Sequence, residues 1–197
     1  MLKQLLIIFT LGILSILQLP QHQKNKTSKQ KSAKNEFSVL PSVGEKIQGN
    51  FIGDGKSGFA TAVKVVQGQG NPVEDGASDA YEIQFSDRRL KPIAVGCCSI
   101  RLINEGDLNN DQSDEISVFQ APMNGCTYSM TTYSYKNGQW KKLVETFLIP
   151  TNCESITDQN LQNRIFRDNG AIYYYDSDPN KNGKLIKRKA VARFRKN

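Results

Sequence analysis

Histidine is nearly missing from this chain: one residue, His22, in 197. No histidine-based catalytic triad and no histidine-ligated zinc centre can therefore be built in the body of the protein. No glycine-rich phosphate loop follows a candidate strand, which removes the commonest nucleotide-binding signature. Helical periodicity is scarce. Tryptophan occurs once, as Trp140, where core packing explains it better than ligand stacking. The first cysteine is Cys97, so lipid attachment at a processed N-terminal cysteine is excluded. A paired-carboxylate glycoside cleavage remains chemically open, but it needs a cleft that letters alone do not show. The chain reads as non-catalytic.

The N-terminus carries an address. Lys3 precedes an apolar run from Leu5 to Leu19, then Pro20 and polar residues, a length that suits a secretory signal over 1–20 better than a full bilayer span. No small-x-small pair marks a cleavage site, so an uncleaved membrane anchor is the alternative. Residues 21–36 hold five lysines, one glutamate and almost nothing apolar, which predicts a disordered basic tether. From Phe37 to Asn197 the composition is globular, enough for a single β-rich domain.

The formal charge of +7 misleads if taken whole. Residues 37–183 hold thirteen Lys and Arg against eighteen Asp and Glu, a net of −5. The basic residues concentrate in the tether and in a second run from Lys184 to Lys196. An acidic body with basic ends argues against nucleic acid as a partner and places membrane contact, if any, at the N-terminal segment.

Four cysteines in an exported chain point to disulfides. Adjacent cysteines seldom bridge each other, and neighbours in a strand face opposite ways. Cys97 and Cys98 are therefore expected to reach different partners, Cys126 taking one and Cys153 the other, with free buried thiols as the alternative.

The body reads as mainly β. Strands are expected at Phe59–Val66, at Tyr81–Phe85 with Tyr81, Ile83 and Phe85 on one buried face, and from Ile93 through the cysteine pair to Ile103. Others follow at Ile116–Phe119, at Tyr128–Tyr135 and Gln139–Leu148 around an Asn137-Gly138 hairpin turn, at Ala171–Tyr175 and at Leu185–Phe194. Tyr173, Tyr174 and Tyr175 should split between two faces. One helix is expected near 158–166, capped by Thr157, with Leu161 and Ile165 on one face and Asn169-Gly170 ending it. Residues 176–183 read as a polar Asx-rich turn, although the spacing of Asp176, Asp178, Asn180 and Asn182 mimics an ion-binding loop.

The strongest candidate site is the stretch Gly106 to Val118, GDLNNDQSDEISV. Asp107, Asn109, Asp111 and Glu115 offer side-chain oxygens at alternate positions and Ser113 can offer its backbone carbonyl. Such an irregular oxygen cage suits calcium, and three carboxylates in one loop repel each other without a cation. Gln112 stands where such loops carry a glycine, so the sharp turn falls partly on Asn110 and affinity should suffer.

This stretch resembles the FG-GAP and VCBS repeats, through Gly106, Asp107, Asn109, Asp111, Glu115, Ile116 and Val118. A second, eroded copy runs from Gly49 to Phe59, where Asp54 and Gly55 survive, and looks like a retained turn without a metal. The resemblance spans about Val43 to Gln120. It implies β-propeller blades on secreted or surface proteins with calcium in the loops. The body is too short for a closed propeller. The expected architecture is thus a compact antiparallel β domain with blade-like hairpins and one short helix. The expected function is an exported domain, periplasmic, extracellular or on the cell surface. It would be braced by calcium and bind a protein or cell-envelope component. An envelope inhibitor or immunity-type protein acting through an acidic face, and a carbohydrate hydrolase, are the alternatives.

Overall fold

The structure is a computed structural model that describes residues 42–71, 74–181 and 183–191, all within one compact unit, Phe37–Asn197. The signal segment, the tether with His22 and residues 192–194 of the expected last strand lie outside the described residues, and that strand stops at Lys189, short of its expected end. No helix among the described residues is long and apolar enough to cross a membrane.

Three antiparallel sheets follow one another along the chain. The first is β2 (Lys46–Gly49), β3 (Gly58–Val66), β4 (Ala80–Phe85) and β5 (Ile93–Gly96), in that order. The second is β6 (Ile100–Gly106), β7 (Glu115–Gln120), β8 (Thr127–Lys136) and β9 (Gln139–Pro150), with the two-residue β1 (Val43–Gly44) added beside β6. The third is β10 (Ile165–Asp168), β11 (Ala171–Asp178) and β12 (Lys184–Lys189). Each is a meander of nearest-neighbour hairpins, and the sheets form neither a closed barrel nor a propeller.

The second sheet is the middle layer because its strands are apolar on both faces. Leu102, Ile116 and Val118 join Ile47, Ala60, Ile83 and Ile93 of the first sheet in one core. Their alternates Ile103 and Phe119 join Met130, Val144, Phe147 and Ile149 in another, closed by Leu161 and Ile165. A period of two with apolar residues in both phases is what a strand covered on both sides requires. Each side chain so buried contributes roughly 1.5–3 kcal/mol. Tyr81, Ile83 and Phe85 do share a face. Trp140 stacks on Phe85 at 4.9 Å and donates its indole N–H to the Lys91 carbonyl at 3.1 Å. Tyr173 and Tyr175 lie against Phe166, whereas Tyr174 packs on Phe147.

Five expectations need correction. The helix α1 covers only Asp158–Gln162. Thr157 caps it, its hydroxyl accepting from Asn160 N–H at 3.2 Å, but Ile165 and Phe166 belong to β10. Backbone pairing with β11 takes up these residues instead of a further helical turn. Leu161 and Ile165 still meet in one core. Asn169-Gly170, with φ of 47° and 76°, accordingly turns the β10–β11 hairpin instead of ending the helix.

The strand expected through the cysteine pair breaks at Gly96 (φ 76°), and Cys97 and Cys98 lie in a bend. Freed from strand alternation, they bridge each other, and Cys126 bridges Cys153, contrary to the expected cross-pairing. All four sit at the end of the second sheet where β6 begins, β7 ends, β8 begins and β9 ends. Gln120 holds the bend there, donating to the Val95 carbonyl at 2.7 Å and to that of Cys97. Finally, the 176–183 segment is not all turn: β11 runs to Asp178, and a 3-10 turn covers Pro179–Lys181.

Candidate functional site

The acidic loop lies at the opposite end of the second sheet from the cysteines, between β6 and β7. Asp107 starts it: its two carboxylate oxygens accept the N–H groups of Asp111 and Gln112, each at 3.0 Å. Asp111 continues inward, accepting the N–H of Ser113 at 3.1 Å and its hydroxyl at 2.5 Å. Asn110 and Gln112 both adopt positive φ, 62° and 76°. The position that a glycine would fill thus makes the left-handed turn with a glutamine, and Asn110 shares the burden.

Leu108 turns into the core beside Ile103 and Phe119, and this pulls the inner half of the loop under the surface. Glu115 is fully buried. Its carboxylate accepts Leu108 N–H and the Asn109 amide, both at 2.7 Å, and the same amide reaches the Ser134 hydroxyl at 2.9 Å. The side-chain oxygen of Asn109 is buried with no hydrogen-bond partner. Loss of hydration pushes the Glu115 carboxyl up to about 8, and the nearby charges of Asp111 and Asp107 push the same way.

The five expected ligands lie along one loop, with Asp107 exposed, Asn109 and Asp111 half-buried, and Ser113 and Glu115 buried. Among the described residues, no three His, Cys, Asp or Glu side chains are grouped as a metal ion would need. The carboxylates are turned onto backbone amides, and Ser113 engages through its N–H and hydroxyl. The donor set nonetheless fits a hard cation. It offers carboxylate and amide oxygens only, and one of them, on Asn109, is desolvated and unpaired, at a cost of about 1–3 kcal/mol.

Two acidic residues escaped the sequence reading. Asp114 accepts Asn50 N–H at 2.8 Å and the Asn104 amide at 3.2 Å, which ties the loop to the preceding sheet. Glu105 lies beneath it on β6, its carboxyl pushed up to about 8 chiefly by burial and further by Glu115, while a Ser117 hydrogen bond opposes the shift. One Glu105 oxygen is buried without a partner. The signal was present: Glu105 follows Ile103 by two, and so occupies a core-facing position of a strand.

The eroded copy is the immediate neighbour of the loop. Asn50 donates its side-chain amide to the Gln112 carbonyl at 2.9 Å and accepts Asp114 N–H at its own carbonyl at 2.9 Å. A Cβ at Gly49 would stand 2.7 Å from the Asn104 amide and from the Phe51 ring and 2.8 Å from the Asp114 carboxylate, so these side chains would have to shift. In this turn Asp54 meets the Arg89 guanidinium at 2.6 Å, and the same guanidinium grips Asp87 through two nitrogens. Arg89 holds the Asp54 carboxyl below its usual range and the Asp87 carboxyl at about 2. In the third acidic stretch Asp176 pairs with Arg188 at 2.5 Å, Asp178 accepts Asn180 N–H at 3.0 Å, and Lys181 lies 3.8 Å from Asp178. These groups are neutralised by the protein itself; Asn182 is outside the described residues.

Comparison with family models, with curated proteins and with solved structures gives no match.

Proposed function

We propose that this protein is an exported, non-catalytic β domain whose 107–115 loop is braced by calcium, and that it binds a protein or cell-envelope component. The observation that carries the ion is the buried, unpaired Asn109 oxygen beside the buried Glu115 carboxyl, inside a turn that also holds Asp107 and Asp111. Calcium would replace the proton on Glu115 and supply the partner that Asn109 lacks. An extracellular setting suits such a loop, since modules outside the cell work at calcium affinities of about 10⁻⁴–10⁻³ M. The two disulfides fit the same oxidising setting.

The likeness to FG-GAP and VCBS repeats is part of this reading. It is supported by position: the loop joins the first and second long strands of the second meander, and its eroded copy joins the first and second strands of the first. The non-catalytic reading is supported by the single histidine of the sequence, His22.

Thermal unfolding with and without calcium tests the ion. Calcium at about a hundred times Kd adds roughly 2.7 kcal/mol, which for a domain of this size raises Tm by about 5–10 °C. Asp107→Ala combined with Asp111→Ala should abolish the rise. A parent protein whose Tm ignores calcium overturns the claim.

A further inference from the structure

At the other end of the second sheet, between β9 and the β11–β12 arm, lies an open groove of about 720 Å³, within the range of about 300–1,000 Å³ usual for small-molecule sites. Part of its lining is apolar. Phe147 and Tyr174 lie ring to ring at 4.6 Å, and Leu148 presents a side chain that is 58% exposed, among the most exposed large apolar groups described. Its walls are polar but carry no net charge. Asp176 and Arg188 cancel at 2.5 Å, and Lys142, which reaches the wall residue Thr146 at 3.3 Å, is balanced by Glu145 at 4.0 Å. Asn152 adds a neutral amide to the lining.

We propose that this groove binds a neutral saccharide. Among the described lining residues the charged groups are Asp176 and Arg188, and they pair with each other, so charge selects neither an anion nor a cation. An apolar ligand would strip water from the Asp176–Arg188 pair without replacing its hydrogen bonds, which is costly. A sugar ring matches both parts of the lining: its C–H face covers the exposed Leu148, while its hydroxyls both donate to Asp176 and accept from Arg188 and Asn152. The inference rests on the reading of this protein as a binder of an envelope component. It does not rest on calcium, because the ion loop is at the far end of the sheet.

The test is nuclear magnetic resonance titration of the full exported chain with cellohexaose, maltohexaose and chitohexaose, with hexagalacturonate as the anionic control. At least one neutral sugar should shift amides around Phe147–Asn152 and Tyr174–Ser177. Leu148→Asp, at an exposed position that does not threaten folding, should weaken it about tenfold or more, and Asp176→Asn about fivefold. Absence of groove shifts at about 10 mM of every neutral sugar, shifts confined to another face, or tighter binding of hexagalacturonate would each overturn the assignment. Cosedimentation with isolated cell envelopes separates the two readings. Envelope binding that survives Leu148→Asp keeps the envelope partner and overturns the groove, whereas its loss in that variant supports the groove.

Discussion

Two acidic turns dock on each other in this protein, and they balance their charge differently. Between β2 and β3, Asp54 ends on the Arg89 guanidinium. Between β6 and β7, Asp107, Asp111 and Glu115 meet no ion-pair partner among the described residues, and the Arg167 guanidinium donates to the side-chain oxygen of Asn110. The first turn carries its cation covalently, on a side chain; the second is left with backbone amides and a proton on a buried carboxyl. A turn that brings carboxylates together needs positive charge from somewhere. Where the chain supplies it, no ion is needed, and where it does not, the proposed calcium would supply it.

The largest effect should come from breaking the contact between the two turns. Gly49→Val drives a side chain into Asn104 and Asp114, which parts Asn50 from Asp114 and costs about 2–4 kcal/mol. A Tm fall of about 5–10 °C together with weakened calcium response is the expected outcome. Unchanged Tm would mean that the turns fold independently.

Titration sharpens the contrast at intermediate size. Glu105 and Glu115 hold protons up to about 8 in the folded chain, against ordinary values of 4.5 once unfolded. The folded state therefore binds more protons between these limits, and in chelator stability should be full below pH 4.5 and fall as pH rises toward 8. If calcium takes the place of the Glu115 proton as proposed, the gap in Tm between calcium and chelator should widen over the same range. Glu115→Gln should flatten the chelator profile by about half, one of two carboxyls being removed; a flat profile in the parent removes the buried acids from the account.

Arg89→Ala should give the smallest effect. Its pairs with Asp54 and Asp87 are solvent-facing, and such pairs are screened. A slight loss of Tm that vanishes in concentrated salt is expected, with the calcium response of the other loop intact. A loss as large as that of Gly49→Val would show that the guanidinium is a structural hub.

Much of this was legible in the letters. Alternation in Tyr81–Phe85, the Asn137-Gly138 turn and the Thr157 cap are local, and each was realised where it was read. The acidic loop was legible too, because its spacing and its glutamine at the glycine position are properties of nine consecutive residues. What was misread depended on neighbours. Cys97 and Cys98 could be expected to point apart only while they were in a strand, and Gly96 ended the strand. Ile165 fits a helix face as well as it fits β10, and only β11 alongside decides between them.

The sequence by itself determined a β protein with an acidic body, basic ends, and a loop rich in oxygen ligands, because those follow from composition and short-range period. Tertiary structure alone decided which acids keep their charge. Asp54 was given Arg89 from 35 residues away, and Asp114 was given Asn50 from 64 residues away. Glu115 was given a dry core and, among the described residues, no ion-pair partner. Charge balance at a site is set by what lies within a few ångströms, and chain order does not specify that distance until the sheets have stacked.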